Sequence, residues 1–188
     1  GLQFSTGPLE EPTEFTGPLA AKLWVSSSTE DADLFLVFQV FDPDGEEVTF
    51  QGAIDPHTPI AQGWLRASHR KLDTALSEPW RPYHTHDEKQ PLEPGDVYEL
   101  DVEIWPTSIV VPAGYSVHVS VLGRDYEWAG DTTGLKLSNF KNELKGCGPF
   151  LHDDPNDRPG EVFGGTTTLH FGPDRPSFVL APVIPAVG

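Results

Sequence analysis

A chain of 188 residues that sets 29 carboxylates against 12 lysines and arginines has a formal net charge of −17. That field repels phosphates and excludes nucleic acid and anionic membrane surfaces as partners. The single cysteine, Cys147, excludes an intramolecular disulfide, and no apolar run reaches the roughly 20 residues that a membrane helix needs.

The length suits one domain. The 18 glycines and 19 prolines are scattered between apolar runs, which predicts many turns rather than disorder. The absence of methionine predicts a chain processed or cut from something longer. No signal-peptide pattern stands at the N-terminus, which favours a cytoplasmic location.

In chain order, residues 1–14 read as a lead-in, and Ala20–Ser26 as the first strand. Asp33–Phe41 is apolar on both faces and predicts a central strand covered on both sides. Asp42-Pro43-Asp44-Gly45 predicts a turn, with Glu46–Gln51 returning as the hairpin partner. Trp64–His69 reads as a strand. Val97–Ile104 alternates, with Tyr98, Leu100, Val102 and Ile104 on one face and carboxylates largely on the other. Ser116–Val121 alternates in the same way, which makes His118 an ordinary outward position. Leu135–Leu144 has weak helical spacing, residues 146–165 read as one long ordered loop, and Thr166–Phe171 and Ser177–Leu180 close the chain as strands. Closely spaced strands bounded by turn residues predict an all-β sandwich.

The chemistry-bearing residues crowd into positions 63–86. A serine hydrolase of the α/β type needs Gly-x-Ser-x-Gly at a strand-to-helix turn. Gly114-Tyr115-Ser116-Val117-His118 lacks the last glycine and lies in a strand pattern. Ser68 and His69 are neighbours on an expected strand and would point to opposite faces. His84 and His86 share a face; with His69 or Asp87 they would form a zinc or iron set, the alternative being polar contacts within a loop or interface. Arg66, Arg70 and Arg81 either tie a long connection to the sandwich through carboxylates or dock onto another domain. Trp80 and Tyr83 are anchors for an interface or satellite core. Residues 152–157 offer oxygens for a structural Ca²⁺ or, alternatively, a loop capped by Asx-turns. Cys147, between two glycines and without an activating motif, reads as structural.

Several runs carry a family resemblance. Phe15-Thr16-Gly17-Pro18-Leu19 precedes Leu23-Trp24-Val25-Ser26-Ser27. Gly63-Trp64-Leu65-Arg66-Ala67-Ser68-His69-Arg70 is the sharpest run. Pro91-Leu92-x-Pro94-Gly95, Ile104-Trp105-Pro106-Thr107-Ser108 and Ala113-Gly114-Tyr115-Ser116-Val117 follow. His152-Asp153-x-Pro155-x-Asp157-Arg158-Pro159 and Leu180-Ala181-Pro182-Val183-Ile184-Pro185 complete the order. Together they resemble the C-terminal domain of the CocE/NonD hydrolases, the cocaine esterase and X-Pro dipeptidyl-peptidase group.

The resemblance implies a jelly-roll β-sandwich, galactose-binding-domain-like, spanning residues 1–188. It also implies an upstream α/β-hydrolase domain in cis that holds a Ser-His-Asp triad. No residue here matches that domain's motifs, so no catalytic residue, metal or cofactor is assigned to this chain. Arg66, His69, Arg70, Trp80, Tyr83, His84 and His86 are the expected interdomain interface, and an open docking face could pair with a second copy. Two alternatives stand beside this reading. One is a carbohydrate-binding module with Trp80, Trp105, Trp128 and Tyr126 as platforms. The other is a metal-dependent hydrolase built on the histidines.

Overall fold

The computed structural model describes residues 1–131, 144–149 and 151–185. Its strands are β1 (Leu2–Pro8), β2 (Thr13–Ser27), β3 (Asp33–Phe41), β4 (Glu47–Val48), β5 (Ala61–Arg66), β6 (Tyr98–Val111), β7 (Ser116–Leu122), β8 (Thr167–His170), β9 (Phe178–Leu180) and β10 (Val183–Ile184). The expected helical spacing at Leu135–Leu144 lies, apart from Leu144, outside the described residues.

Two antiparallel sheets form a jelly-roll sandwich. The first has the order β1-β7-β3, with β4 and β5 pairing successive parts of the far edge of β3. In the second, β2 pairs with β6 along one edge and with β10, β9 and β8 in succession along the other. Period-2 patterning sends Leu19, Ala21, Leu23 and Val25 of β2 inward to meet Leu34, Leu36, Phe38 and Val40 of β3. Leu100, Val102 and Ile104 of β6 complete that layer, each fully buried. The two-faced burial expected of β3 is present. Phe35 and Val37, on its outer face, are 3% and 1% exposed. The Phe35 ring packs edge-on against His152 at 5.4 Å. Beside it, Gln62 of β5 donates to the Gly146 carbonyl at 3.0 Å.

Several boundaries differ from the sequence expectation: β2 begins at Thr13 rather than Ala20, β4 is confined to Glu47–Val48, and β10 was not expected. The lead-in contains β1, which pairs with β7 from Leu2 opposite Val121 to Pro8 opposite Ser116. β5 stops at Arg66, and Ala67–His69 turn into a 3₁₀ helix, so Ser68 and His69 are not strand neighbours. The loop of residues 146–165 contains a one-turn helix, α1 (Gly160–Phe163). β6 runs past Ile104 to Val111. There Gly17 pairs with Thr107 and Leu19 with Ile104, so Trp105 and Pro106 together oppose Pro18 alone. Such a bulge accommodates a proline that cannot donate to the ladder. It also turns the Trp105 side chain outward to 61% exposure.

Candidate functional site: an arm and a histidine-lined cavity

Residues 70–86 fold back on themselves as an arm. Asp73 N–H donates to the Tyr83 carbonyl at 2.8 Å and Thr85 N–H to Lys71 at 3.0 Å, with a bridge between Leu72 and His84. The Asp73 carboxylate caps the outer turn by accepting from the Ala75 and Leu76 N–H groups. Glu78 and Arg81 then exchange backbone hydrogen bonds, which sets Pro79-Trp80 at the tip. Leu76, Trp80 and Tyr83 stay 49%, 43% and 49% exposed. The arm is built from its own backbone and leaves its large apolar side chains in water.

The arginines fasten the arm's base. Arg66 reaches Asp33 through Nε at 2.9 Å and Nη2 at 3.1 Å, and Asp157 through Nη1 at 3.1 Å and Nη2 at 2.9 Å. Register dictates the first pairing, because Asp33 and Arg66 face each other across β3 and β5. The guanidinium also lies 4.4 Å above the Phe163 ring. The Asp33 hydrogen bonds hold Arg66 firmly in its charged form, and the hydrogen bonds that Arg66 donates to Asp157 hold that carboxyl below the usual carboxylate range. Arg158 adds a second cation at 2.7 Å from Asp33. Arg70 donates to the carbonyls of Ala67 and Gln90 and stacks over Tyr98 at 4.6 Å. Of the two roles open to these arginines, both Arg66 and Arg70 use their donors inside the domain.

The histidines meet beside the arm in an open cavity of about 410 Å³, shared with Trp64, Trp105 and the Arg66–Asp157 pair. His69 Nδ1 lies 3.2 Å from His86 Nδ1. Among the described residues His86 is the one non-glycine with a positive φ, 51°. The His84 ring is 6.0 Å from that of His86, and its Nε2 is buried without a hydrogen-bond partner. Burial lowers the affinity of His84 and of His69 for a proton, and His86 lowers that of His69 further. Among the described residues no group of three or more histidines, cysteines or carboxylates is arranged to hold a metal ion. His152, opposite, is oriented by Asp125 at 2.8 Å. In the loop that follows, Asp154 Oδ1 accepts from the Asn156 backbone N–H at 2.9 Å, the Asx-turn alternative expected there.

Two serine–histidine pairs were not foreseen from the sequence. Ser26 Oγ lies 2.8 Å from His170 Nε2, and Ser116 Oγ 2.9 Å from His118 Nε2. In the first pair Arg175 Nη1 contacts His170 Nδ1 at 3.3 Å. Arginine only donates, so Nδ1 accepts and Nε2 carries the proton. The imidazole then donates to Ser26 and cannot deprotonate it. His118 Nδ1 has no partner, so no third group orients the second pair. The Cys147 thiol, held near Gln62 Oε1 and the Tyr126 carbonyl, is pushed up to about 12 by burial and is not a nucleophile at neutral pH. Two of the four expected sugar platforms are occupied within the domain. Trp128 stacks flat on His57 at 3.6 Å, and Tyr126 is 6% exposed.

The profile of the family described as the X-Pro dipeptidyl-peptidase C-terminal non-catalytic domain matches residues 1–180. A protein of Mycobacterium bovis provisionally named a serine esterase is 30% identical over 129 residues, which cover 66% of this chain and 19% of its own. The cocaine esterase of a Rhodococcus species is 25% identical over 186 residues, 97% of this chain and 25% of that enzyme. A crystal structure of a CocE/NonD family hydrolase from Staphylococcus aureus superposes with a TM-score of 0.80 at 25% identity, over 98% of this chain and 30% of the other. An α-amino acid ester hydrolase shares the fold, with a TM-score of 0.61 at 18% identity. The chain therefore spans 19% to 25% of the length of these curated relatives.

Proposed function

This chain belongs to the X-Pro dipeptidyl-peptidase C-terminal non-catalytic domain family, and we propose that it is the accessory sandwich of an α/β-hydrolase-type serine hydrolase. The parent enzyme acts on acyl esters or X-Pro peptides through a Ser-His-Asp triad in an N-terminal domain. This domain docks on that catalytic domain, supports it and narrows access to its site. The docking surface is the arm with its base: Trp80 and Tyr83 as apolar anchors, His69, His84 and His86 beside them, Arg66 and Arg70 as fasteners.

The observation that carries this reading is the exposed tip of the arm. A long connection held rigid by its own hydrogen bonds, with Leu76, Trp80 and Tyr83 in water, supports a role as an interface. Its position agrees with a partner in cis. Leu2 pairs with Val121, and Phe35 with Leu122, so Gly1 lies at the end of the sandwich where β3 begins and β5 ends.

The test is a pair of hydrolysis assays with a p-nitrophenyl ester and an X-Pro p-nitroanilide. The intact protein is expected to turn over one of them, and the 188-residue chain alone neither. Replacing Trp80→Asp and Tyr83→Asp together in the intact protein is expected to shorten the half-life of activity on warming. Turnover by the 188-residue chain alone would refute the proposal.

A further inference from the structure

We propose that the apolar cleft at the open edge of the sandwich is a second docking surface for the catalytic portion of the same polypeptide, distinct from the arm. The inference rests on the accessory-domain reading above. At this edge β1 and β7 part from β8 and β9 and leave an opening of about 320 Å³. Its floor is core: Leu36 of one sheet and Leu23 of the other, 1% and 4% exposed. Its rim is Phe4, Phe171 and Phe178, which are 44%, 57% and 48% exposed. Phe4 and Phe171 meet edge to face at 5.6 Å, so two of the three rim rings form one continuous aromatic surface.

The cleft offers a partner little but apolar contact. The hydroxyl of Thr6 donates to the Gly7 carbonyl at 2.7 Å and that of Ser177 to His170 at 2.9 Å, so both are spent inside the domain. A sugar or other polar ligand would lose its hydration there without new hydrogen bonds, whereas apolar side chains would gain by burial. Phenylalanines grouped in this way mark a surface covered in the working protein. The far half of β1 is blunted by a register break between Ser5 and Pro8. The near half, with Leu2 and Phe4, is a bare apolar edge of the kind that is covered in stable proteins.

Chain geometry selects the occupant. On the accessory-domain reading the N-terminal catalytic portion leads into Gly1, three residues before Phe4. The relatives are several times longer than this chain, which makes up 19% of one and 30% of another. A partner of that size tethered at Gly1 is held beside the cleft at high effective concentration, and any other molecule must compete with it.

The test is site-specific photocross-linking in the intact protein. Benzoylphenylalanine replaces Phe171 in one sample and Trp80 in another, with retained hydrolytic activity as the check on folding. Irradiation at 171 is expected to yield an intramolecular cross-link to peptides N-terminal to Gly1, lost when Phe4→Asp is added. A cross-link from 80 but none from 171 overturns the second surface and leaves the accessory reading standing. An intermolecular cross-link from 171, which would mean a second copy in the cleft, also overturns it. Absence of cross-links from both positions defeats this inference and the docking function together.

Discussion

Gly63 sets how closely β5 and β6 approach. A Cβ added there would lie 2.0 Å from the Glu103 carbonyl oxygen, and backbone cannot yield as a flexible side chain does. Gly63→Ala should therefore cost about 3 kcal/mol, read as a fall in the denaturation midpoint; an unchanged midpoint would show that the two strands do not meet as described. His84 gives a pH dependence. Its proton affinity is lowered from the ordinary 6.5 by burial, and that of His69 likewise. The unfolded chain then binds more protons than the folded one below about pH 6.5, so stability is full above that value and declines as pH falls through the window beneath it. The thermal midpoint should drop between pH 7.5 and pH 5, with a shallower slope in a His84→Asn variant. At this scale the sequence offered internal ion pairs as one of two roles for Arg66, and the register of β3 against β5 supplies the partner, Asp33. The sequence was silent on Ser26 and His170, which stand 144 positions apart and meet through the pairing of β2 with β8.

The arm and its fasteners belong to the scale of elements. Arg66 and Asp33 are largely shielded, with side chains 16% and 7% exposed, and Arg66 also holds Asp157. Arg66→Met should destabilise the domain by about 2 kcal/mol, with the loss moderated because Arg158 stays on Asp33. Trp80→Ser removes an exposed ring at the tip and should change stability by less than about 0.5 kcal/mol. Denaturant titration of the two variants separates fastening from docking. Equal losses would mean that Trp80 belongs to the core. The alternating strands were legible because one face of each is buried. β1 was not, since its side chains are mostly exposed and its partner β7 lies over a hundred residues away. The continuation of β6 was hidden by Pro106, which reads as a strand end and is in fact carried by the bulge opposite Pro18. The crowding of histidines and arginines at 63–86 was visible. Its division into internal fasteners and an exposed tip required the hydrogen bonds.

At the scale of the whole molecule, charge sets the proposed docking segment apart from the chain average. Residues 63–90 carry five of the twelve lysines and arginines, three of the seven histidines and four carboxylates. That segment is close to neutral in a chain of net charge −17, so an acidic partner would meet less electrostatic repulsion there than the chain as a whole presents. The same argument makes docking through the arm weakly dependent on salt, with the apolar anchors supplying the affinity. The most direct measurement is hydrogen–deuterium exchange across residues 70–86, comparing the 188-residue chain with the intact protein that carries it. An accessory domain docked by its arm predicts slower exchange of these amides in the intact protein, centred on the tip at Trp80. Identical exchange in the two, with the arm as open in the intact protein as alone, would contradict it.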